Sequence, residues 1–441
     1  VTGQNGLRQE TPASATPVPS FSEALRIWWQ VGLTSFGGPA GQIAMMHRLL
    51  VDQKKWIDER TYIVALNFCT LLPGPEAMQL ATYAGWRMHG VKGGLAAGLL
   101  FVLPGAALIL ALAALYASYG NVPFIAAIFD GIKAAVLAIV IEALLKIARR
   151  SLKDGIEWVV AALSFVAIFF FKVPFPIIVL VAGLFGYWRA IGRADDAPPS
   201  AASPAVPISA TLGTIGLWLA IWLLPMFAVA AIFGGDHVLT KLAQLFSQLA
   251  VVSFGGAYAV LAYVTQDAVQ TYGWLQPGEM LDGLGLAETT PGPLILVTEF
   301  VGYLAAYRQG DGPKFLMGCL GALVTLWATF APCFLYIFAG APYIEWLKSA
   351  PKLKSALNAI TAAVVGVILN LSAWFALHVL FLRVRETTAG PLHLTLPDLS
   401  SLDLIVASLA ILAAILILRL HFSVVATLAI CGGITLALTL V

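Results

Sequence analysis

Charge is what this chain has least of. Only 11% of its 441 residues are Asp, Glu, Lys or Arg, while 60% are hydrophobic. Soluble domains carry roughly 25% charged and about 45–50% apolar residues, so water is excluded as the solvent of most of this surface and the bilayer takes its place. A net charge of +2 excludes a nucleic-acid partner held by phosphate contacts. Cysteine is scarce as well: Cys69, Cys319, Cys333 and Cys431 lie far apart in apolar runs, with no CxxC or Cys/His ligand spacing. That excludes a disulfide frame or a metal site and leaves packed thiols. No cofactor or metal is expected, and the lack of a nucleophile constellation argues against an enzyme. Residues 1–20 lack a basic stretch followed by an apolar core, so they do not read as a signal peptide. Their Pro/Ser/Thr-rich composition predicts a disordered tail, and 191–211 read as a linker by the same criteria.

What the chain does have is a repeat. SFGG occurs at Ser35–Gly38 and again at Ser253–Gly256, 218 residues later; Trp56 and Trp274 keep that offset, as do Pro73-Gly74-Pro75 and Pro291-Gly292-Pro293. Pro104 then pairs with Pro332 at an offset of 228, which Ile132–Val136 and Ile360–Val364 share. A constant offset with a single step of ten is what duplication followed by one loop insertion leaves behind. The expected organisation is a first membrane repeat over 21–190, a linking transmembrane helix over 212–233 and a second repeat over 234–441.

In each repeat an apolar segment broken at SFGG precedes one broken at PGP. Long apolar runs follow, over about 93–117, 125–147, 156–171 and 173–188, then 315–338, 356–382, 402–418 and 422–440. If the broken segments of the first repeat cross fully, eight basic residues fall on one side and five on the other. If each enters, turns at its break and returns, the split is twelve to one, with Lys172 alone outside. The excess of cytosolic Lys and Arg in membrane proteins favours re-entrant hairpins. The number of crossings in the first repeat is even, so the linking helix would invert the second. The predicted fold class is therefore an all-α polytopic membrane protein of two inverted repeats with broken helices.

Irregular backbone at membrane depth is tolerated only where protein or a water-lined cavity satisfies it. Inverted repeats with interrupted helices are the architecture of secondary transporters, whose half-helix N-termini present amides and a positive dipole end to anions. Pro73, Gly74, Pro75, Pro291, Gly292 and Pro293 are thus expected to line an anion site at the repeat interface. Glu76 follows PGP directly, either as an acid complementing the helix dipole or as a proton carrier; Leu294 holds the equivalent place in the second repeat. Lys133, inside an apolar run, either snorkels or pairs with Asp130, or supplies the fixed positive charge of the site. Asn67, Thr70 and Gln79 flank the break and either satisfy its backbone or line the cavity. Glu288 and Glu299 in the comparable zone either serve protons or pair with Arg308. Gly37, Gly38, Gly255 and Gly256 permit a sharp turn and close helix approach, and their exposed amides could touch substrate.

SFGGPAGQIAMMHRLLVDQKKWIDE, LLPGPEAMQLATYAGW and the later LPG at Leu103–Gly105, with SFGGAYAVL and ETTPGPLILVTEFVGY in the second half, resemble the signature of the chromate ion transporter superfamily in its long, duplicated form. The resemblance covers nearly the whole chain after residue 20. It implies a multi-pass protein of the bacterial inner membrane that exports chromate, coupled to the proton-motive force. The partners implied are chromate or sulfate as substrate, protons as coupling ion and the bilayer, with a homodimer among the allowed assemblies. Residues alone leave open a sulfate-type carrier or passive anion channel, and, from another class, a membrane-embedded enzyme or lipid scramblase.

Overall fold

The computed structural model describes residues 18–120, 122–191, 207–344 and 351–440. Most of the expected tail (1–20) and linker (191–211) lies outside the described residues. Among the described residues five helices are long and apolar enough to cross a membrane, and several shorter apolar helices accompany them. The chain is an all-α polytopic membrane protein.

Helix starts follow from short polar residues placed before apolar runs. α1 (Phe21–Thr34) is capped by the Ser20 hydroxyl, which accepts from the Glu23 amide at 3.2 Å. It ends at the SFGG stretch. α2 (Gly38–His47) continues as a π-helical turn, Arg48–Gln53, and α3 (Glu59–Cys69) is capped by Asp58. These segments fold back on one another. Lys54 at the end of the π turn pairs with Glu23 at the start of α1 at 3.0 Å. Tyr62 of α3 donates to the Ile43 carbonyl at 2.7 Å, and Glu59 meets His47 at 2.6 Å. α4 (Glu76–Tyr119) folds back as well, bending sharply at His89-Gly90, where Gly90 adopts φ +61°. Gly85 and Gly93 face each other across the bend so closely that a methyl group on either would strike the other's carbonyl. α5 (Pro123–Ser151), α6 (Gly155–Phe171) and α7 (Phe175–Arg189) complete the first half, α6 opening with a capping box of Asp154 and Glu157.

α8 (Ile208–Phe233) stands apart. Of its residues only Trp218, Trp222 and Met226 are buried, while Leu212, Leu224, Phe227 and Ile232 are each more than 60% exposed. A helix with so little buried surface and such an apolar face has lipid as its natural neighbour.

The second half repeats the pattern: α9 (Val238–Val252), α10 (Ala257–Thr265), a π turn at Gln266–Thr271, α11 (Pro277–Thr289), α12 (Val297–Gln309) and α13 (Lys314–Gly340). The two π turns begin at residues 48 and 266, a separation of 218. Gly302 of α12 and Gly321 of α13 approach as Gly85 and Gly93 do. α14 (Pro351–Leu380), α15 (Leu404–Leu418) and α16 (Val424–Leu440) follow. Between α14 and α15 lies an antiparallel hairpin of β1 (Val384–Ala389) and β2 (Leu392–Pro397). The apolar runs over 356–382 and 402–418 leave this stretch unassigned. Its signal is a short Thr-rich alternation around Gly390, easily lost between two long apolar runs.

The halves interlock. α6 and α7 of the first half pack on α14 of the second, and α15 and α16 of the second pack on α5 of the first. Small residues make both contacts close: Gly186 lies against Ser355 and Ala359, and Gly131 against the Cys431 carbonyl and Thr435.

Gly131→Val would force Cys431 and Thr435 away and should cost about 1–3 kcal/mol, seen as a lower melting temperature in detergent. Gly213→Ala, on α8 with nothing within 4 Å of the added methyl, should leave the melting temperature unchanged or slightly raised.

Candidate functional site

Each break in one half is held by a break in the other. The Gly74 amide donates to the Ser253 carbonyl at 3.1 Å. Reciprocally, the Gly292 amide donates to the Ser35 carbonyl at 3.0 Å and the Ser35 hydroxyl at 2.9 Å. The PGP of each half is thereby stitched to the SFGG of the other. Glycine is required at these points: Gly37, Gly74, Gly255, Gly256 and Gly292 all have φ between +87° and +110°, a region closed to most side chains.

Two glutamines reinforce the junction. Buried Gln42 uses one Nε2 to reach the Gly292 carbonyl at 2.6 Å and the Ser35 carbonyl at 3.1 Å. Gln79 turns its Nε2 onto the Pro73 carbonyl of its own break at 2.7 Å. The Oε1 of each is buried without a partner. Gln42 was missed in the sequence, although it stands seven residues after Ser35 in a strongly apolar stretch. Ser35 and Ser253 were quoted only as parts of a motif, and nothing local reveals that their carbonyls serve the opposite half.

Beyond each junction a helix begins with proline at its cap. Pro75 precedes α4, Pro293 precedes the single 3-10 turn Leu294–Leu296, and neither start has a side-chain cap. First-turn amides without a cap carry the partial positive charge of the helix end. Half-buried Glu76 lies on the first turn of α4. Its carboxylate comes within 3.8 Å of the position a Cβ on Gly256 would take, so it faces the SFGG of the second half. One side of the site thus gathers the first PGP, Glu76, Gln79, Gly255 and Gly256, with Val364 of α14 covering Gly255, and the other joins the second PGP to Ser35 and Gln42, its 3-10 turn packing on α10.

Other candidates fall elsewhere. Asn67 and Thr70 are exposed, and the Thr70 hydroxyl bonds the Asn67 carbonyl at 2.8 Å, closing the end of α3. Around Gly37 and Gly38 nothing lies within 4 Å of an added methyl, unlike the packed Gly255. Lys133 sits between Asp130, 3.0 Å away, and buried Asp282 of α11, 3.9 Å away, whose carboxylate accepts from Tyr116 at 2.7 Å. This charged cluster crosses from α4 and α5 to α11. Buried Glu288 accepts from Tyr258 at 2.7 Å. Buried Glu299 makes no hydrogen bond or ion pair among the described residues, and Arg308 is held by Glu279 and the Trp274 carbonyl. Asp282, Tyr116 and Tyr258 were also missed, whereas the pairing of Lys133 with Asp130 was anticipated. That pair is legible because the two residues stand one turn apart on α5.

The chain matches the chromate transporter family over residues 22–187 and 240–436. Among curated proteins it is 31% identical over 362 residues to a chromate transport protein of Pseudomonas aeruginosa, covering 81% of this chain and 82% of that one. It is 28% identical over 356 residues to a chromate transport protein of Cupriavidus metallidurans (80% and 82% covered). A probable chromate transport protein of Synechococcus elongatus is 29% identical over 353 residues (80% and 84% covered). No solved structure matches the chain.

Gln42→Leu strips the Gly292 carbonyl of its side-chain donor in a buried place, which should cost about 1–3 kcal/mol. Thermal unfolding in detergent should show the loss. Asn67→Ala, at an exposed position, should stay within about 0.5 kcal/mol of wild type. A Gln42→Leu protein as stable as wild type would remove this glutamine from the junction.

Proposed function

The chain belongs to the chromate transporter family, and from that premise we propose that it exports chromate across the bacterial inner membrane as a secondary active transporter driven by the proton-motive force. The observation that carries the proposal is the reciprocal junction. Gly74 with Ser253, and Gly292 with Ser35, join each uncapped helix start to the opposite half, the first of them with Glu76 on its opening turn.

A tetrahedral dianion needs donors and positive potential, and it needs them without a tightly binding cation that would hold it for good. Helix starts meet that need through amides and partial charges. The halves act as inverted repeats, and the folded-back α1–α2 and α3–α4 segments act as re-entrant hairpins entering from the cytosol. The Lys54–Glu23 pair, which brings the end of one hairpin back to its beginning, supports that reading, as does the weight of basic residues on the cytosolic side.

Transport follows from the seam. Chromate enters from the cytosol between the helix starts, the halves rock about the junction, and the anion leaves outside. Glu76 is the coupling group. A carboxylate beside a dianion repels it, whereas a neutral carboxyl does not. The charge on Glu76 therefore sets the anion's affinity on each side. Glu288 and Glu299, buried on the second half, are further members of the proton system.

Sealed proteoliposomes under an imposed pH gradient test this, with chromate and sulfate compared. Wild type should accumulate chromate uphill. Glu76→Gln should retain chromate exchange but lose the response to the gradient by about tenfold or more. Uphill movement unchanged in the variant would return Glu76 to complementing the helix dipole. A wild type that moves neither anion would overturn the transport reading.

A further inference from the structure

Within the second half, α12 and α13 enclose polar groups that the junction does not use. Threonine in an apolar helix normally bonds its hydroxyl back to the carbonyl one turn earlier. Thr82, Thr361, Thr427 and Thr435 all do so here, at 2.8–3.2 Å. Thr325 and Thr329 of α13 do not. Both are buried, and both hydroxyls lack any partner. Leaving a buried hydroxyl unpaired is unfavourable, so two in succession, four residues apart on one helix face, require an explanation.

Their neighbours supply one. Thr325 lies directly against Gly302 of α12. Glu299 stands three residues before Gly302, on the same helix face, and is 1% exposed with its Oε2 unpartnered. Four residues beyond Thr329 on α13 comes Cys333. Its sulfur lies 3.1 Å from the position a Cβ on Gly74 would take, where the Gln79 amide also arrives at 3.0 Å. Glu76 is three residues before Gln79 on α4. One polar stripe therefore runs from Glu299 along Thr325, Thr329 and Cys333 to the first PGP.

We propose that this stripe is the proton path of the transporter: Glu299 takes the coupling proton, and the hydroxyls of Thr325 and Thr329, with water between them, pass it to the PGP junction and Glu76. The inference rests on the proton-coupled reading above and deepens it. Each hydroxyl accepts one proton as it releases its own. The net change is one proton lost from the Glu299 carboxyl and one gained by the Glu76 carboxylate, with only O–H bonds exchanged. Glu299 is ten residues before the end of α12 at Gln309, which places it about 15 Å along the helix axis from the turn into α13. The groups facing this stripe are Tyr303, whose hydroxyl is also unpartnered, with half-buried Cys319 near it, buried Cys333, and Glu76 at its inner end. No Lys, Arg or Asp pairs with Glu299 among the described residues.

The test uses the full-length protein in sealed liposomes with two readouts. One is chromate accumulation driven by a pH gradient; the other is chromate exchange at equal pH, which needs no net proton movement. Glu299→Gln, and Thr325→Val with Thr329→Val, should each lower gradient-driven accumulation by about tenfold or more and leave exchange within about twofold of wild type. Thr325→Ser with Thr329→Ser keeps the hydroxyls and should keep wild-type accumulation. Undiminished accumulation in Glu299→Gln overturns the path, and so does equal loss in the valine and serine proteins. If Glu299→Gln fails to fold, the valine–serine comparison decides alone. A wild type that exchanges chromate but ignores the pH gradient overturns the proton-coupled reading itself, whatever the variants do.

Discussion

Backbone that leaves the helix inside an apolar solvent must find partners, and this constraint organises the molecule. In water a broken helix bonds to solvent; in hydrocarbon each orphaned amide or carbonyl costs several kcal/mol. The chain breaks its helices at Ser35–Gly37, Thr70–Pro75, Ser253–Gly256 and Thr290–Pro293. It satisfies key groups of each break only by bringing the other half alongside. Neither half could close its own junction, because Gly74 needs Ser253 and Gly292 needs Ser35.

The interlocked helices follow from the same need. With α6 and α7 packed on α14, and α15 and α16 packed on α5, the frame around the junction is shared between halves. Small residues at Gly131 and Gly186 let those helices approach until backbone meets side chain, which in lipid stands in for the hydrophobic drive that operates in water.

Charge is spent sparingly and in pairs. Lys133 is matched by Asp130 and Asp282, Arg308 by Glu279, and Lys172 by Glu386 of the β hairpin. Glu76, Glu288 and Glu299 lack a cationic partner among the described residues, and all three lie on or beside the broken helices. Placing a carboxyl there without a counter-ion is costly, which sets these three apart from the paired charges.

Much of the fold was legible in the sequence because the bilayer imposes its demands locally. Apolar runs long enough to span, prolines and glycines that stop them, and a steady offset of 218 residues between motifs are properties of short stretches, as is the family signature. The sequence also marked Glu76 and the PGP residues, since an acid beside prolines in an apolar run is conspicuous wherever it folds. Tertiary structure decided what those residues meet. Glu76 faces Gly256, about 180 positions away in sequence, while Lys133, equally conspicuous, is drawn to Asp282 on another helix. Thr325 and Thr329 carry no local mark, and neither Gln42 nor the SFGG serines show locally what they bond, because a glutamine or a hydroxyl in a membrane helix is ordinary until its partner, or its lack of one, is known. Periodicity fixes which face a residue takes; only packing of one half on the other fixes what lies opposite.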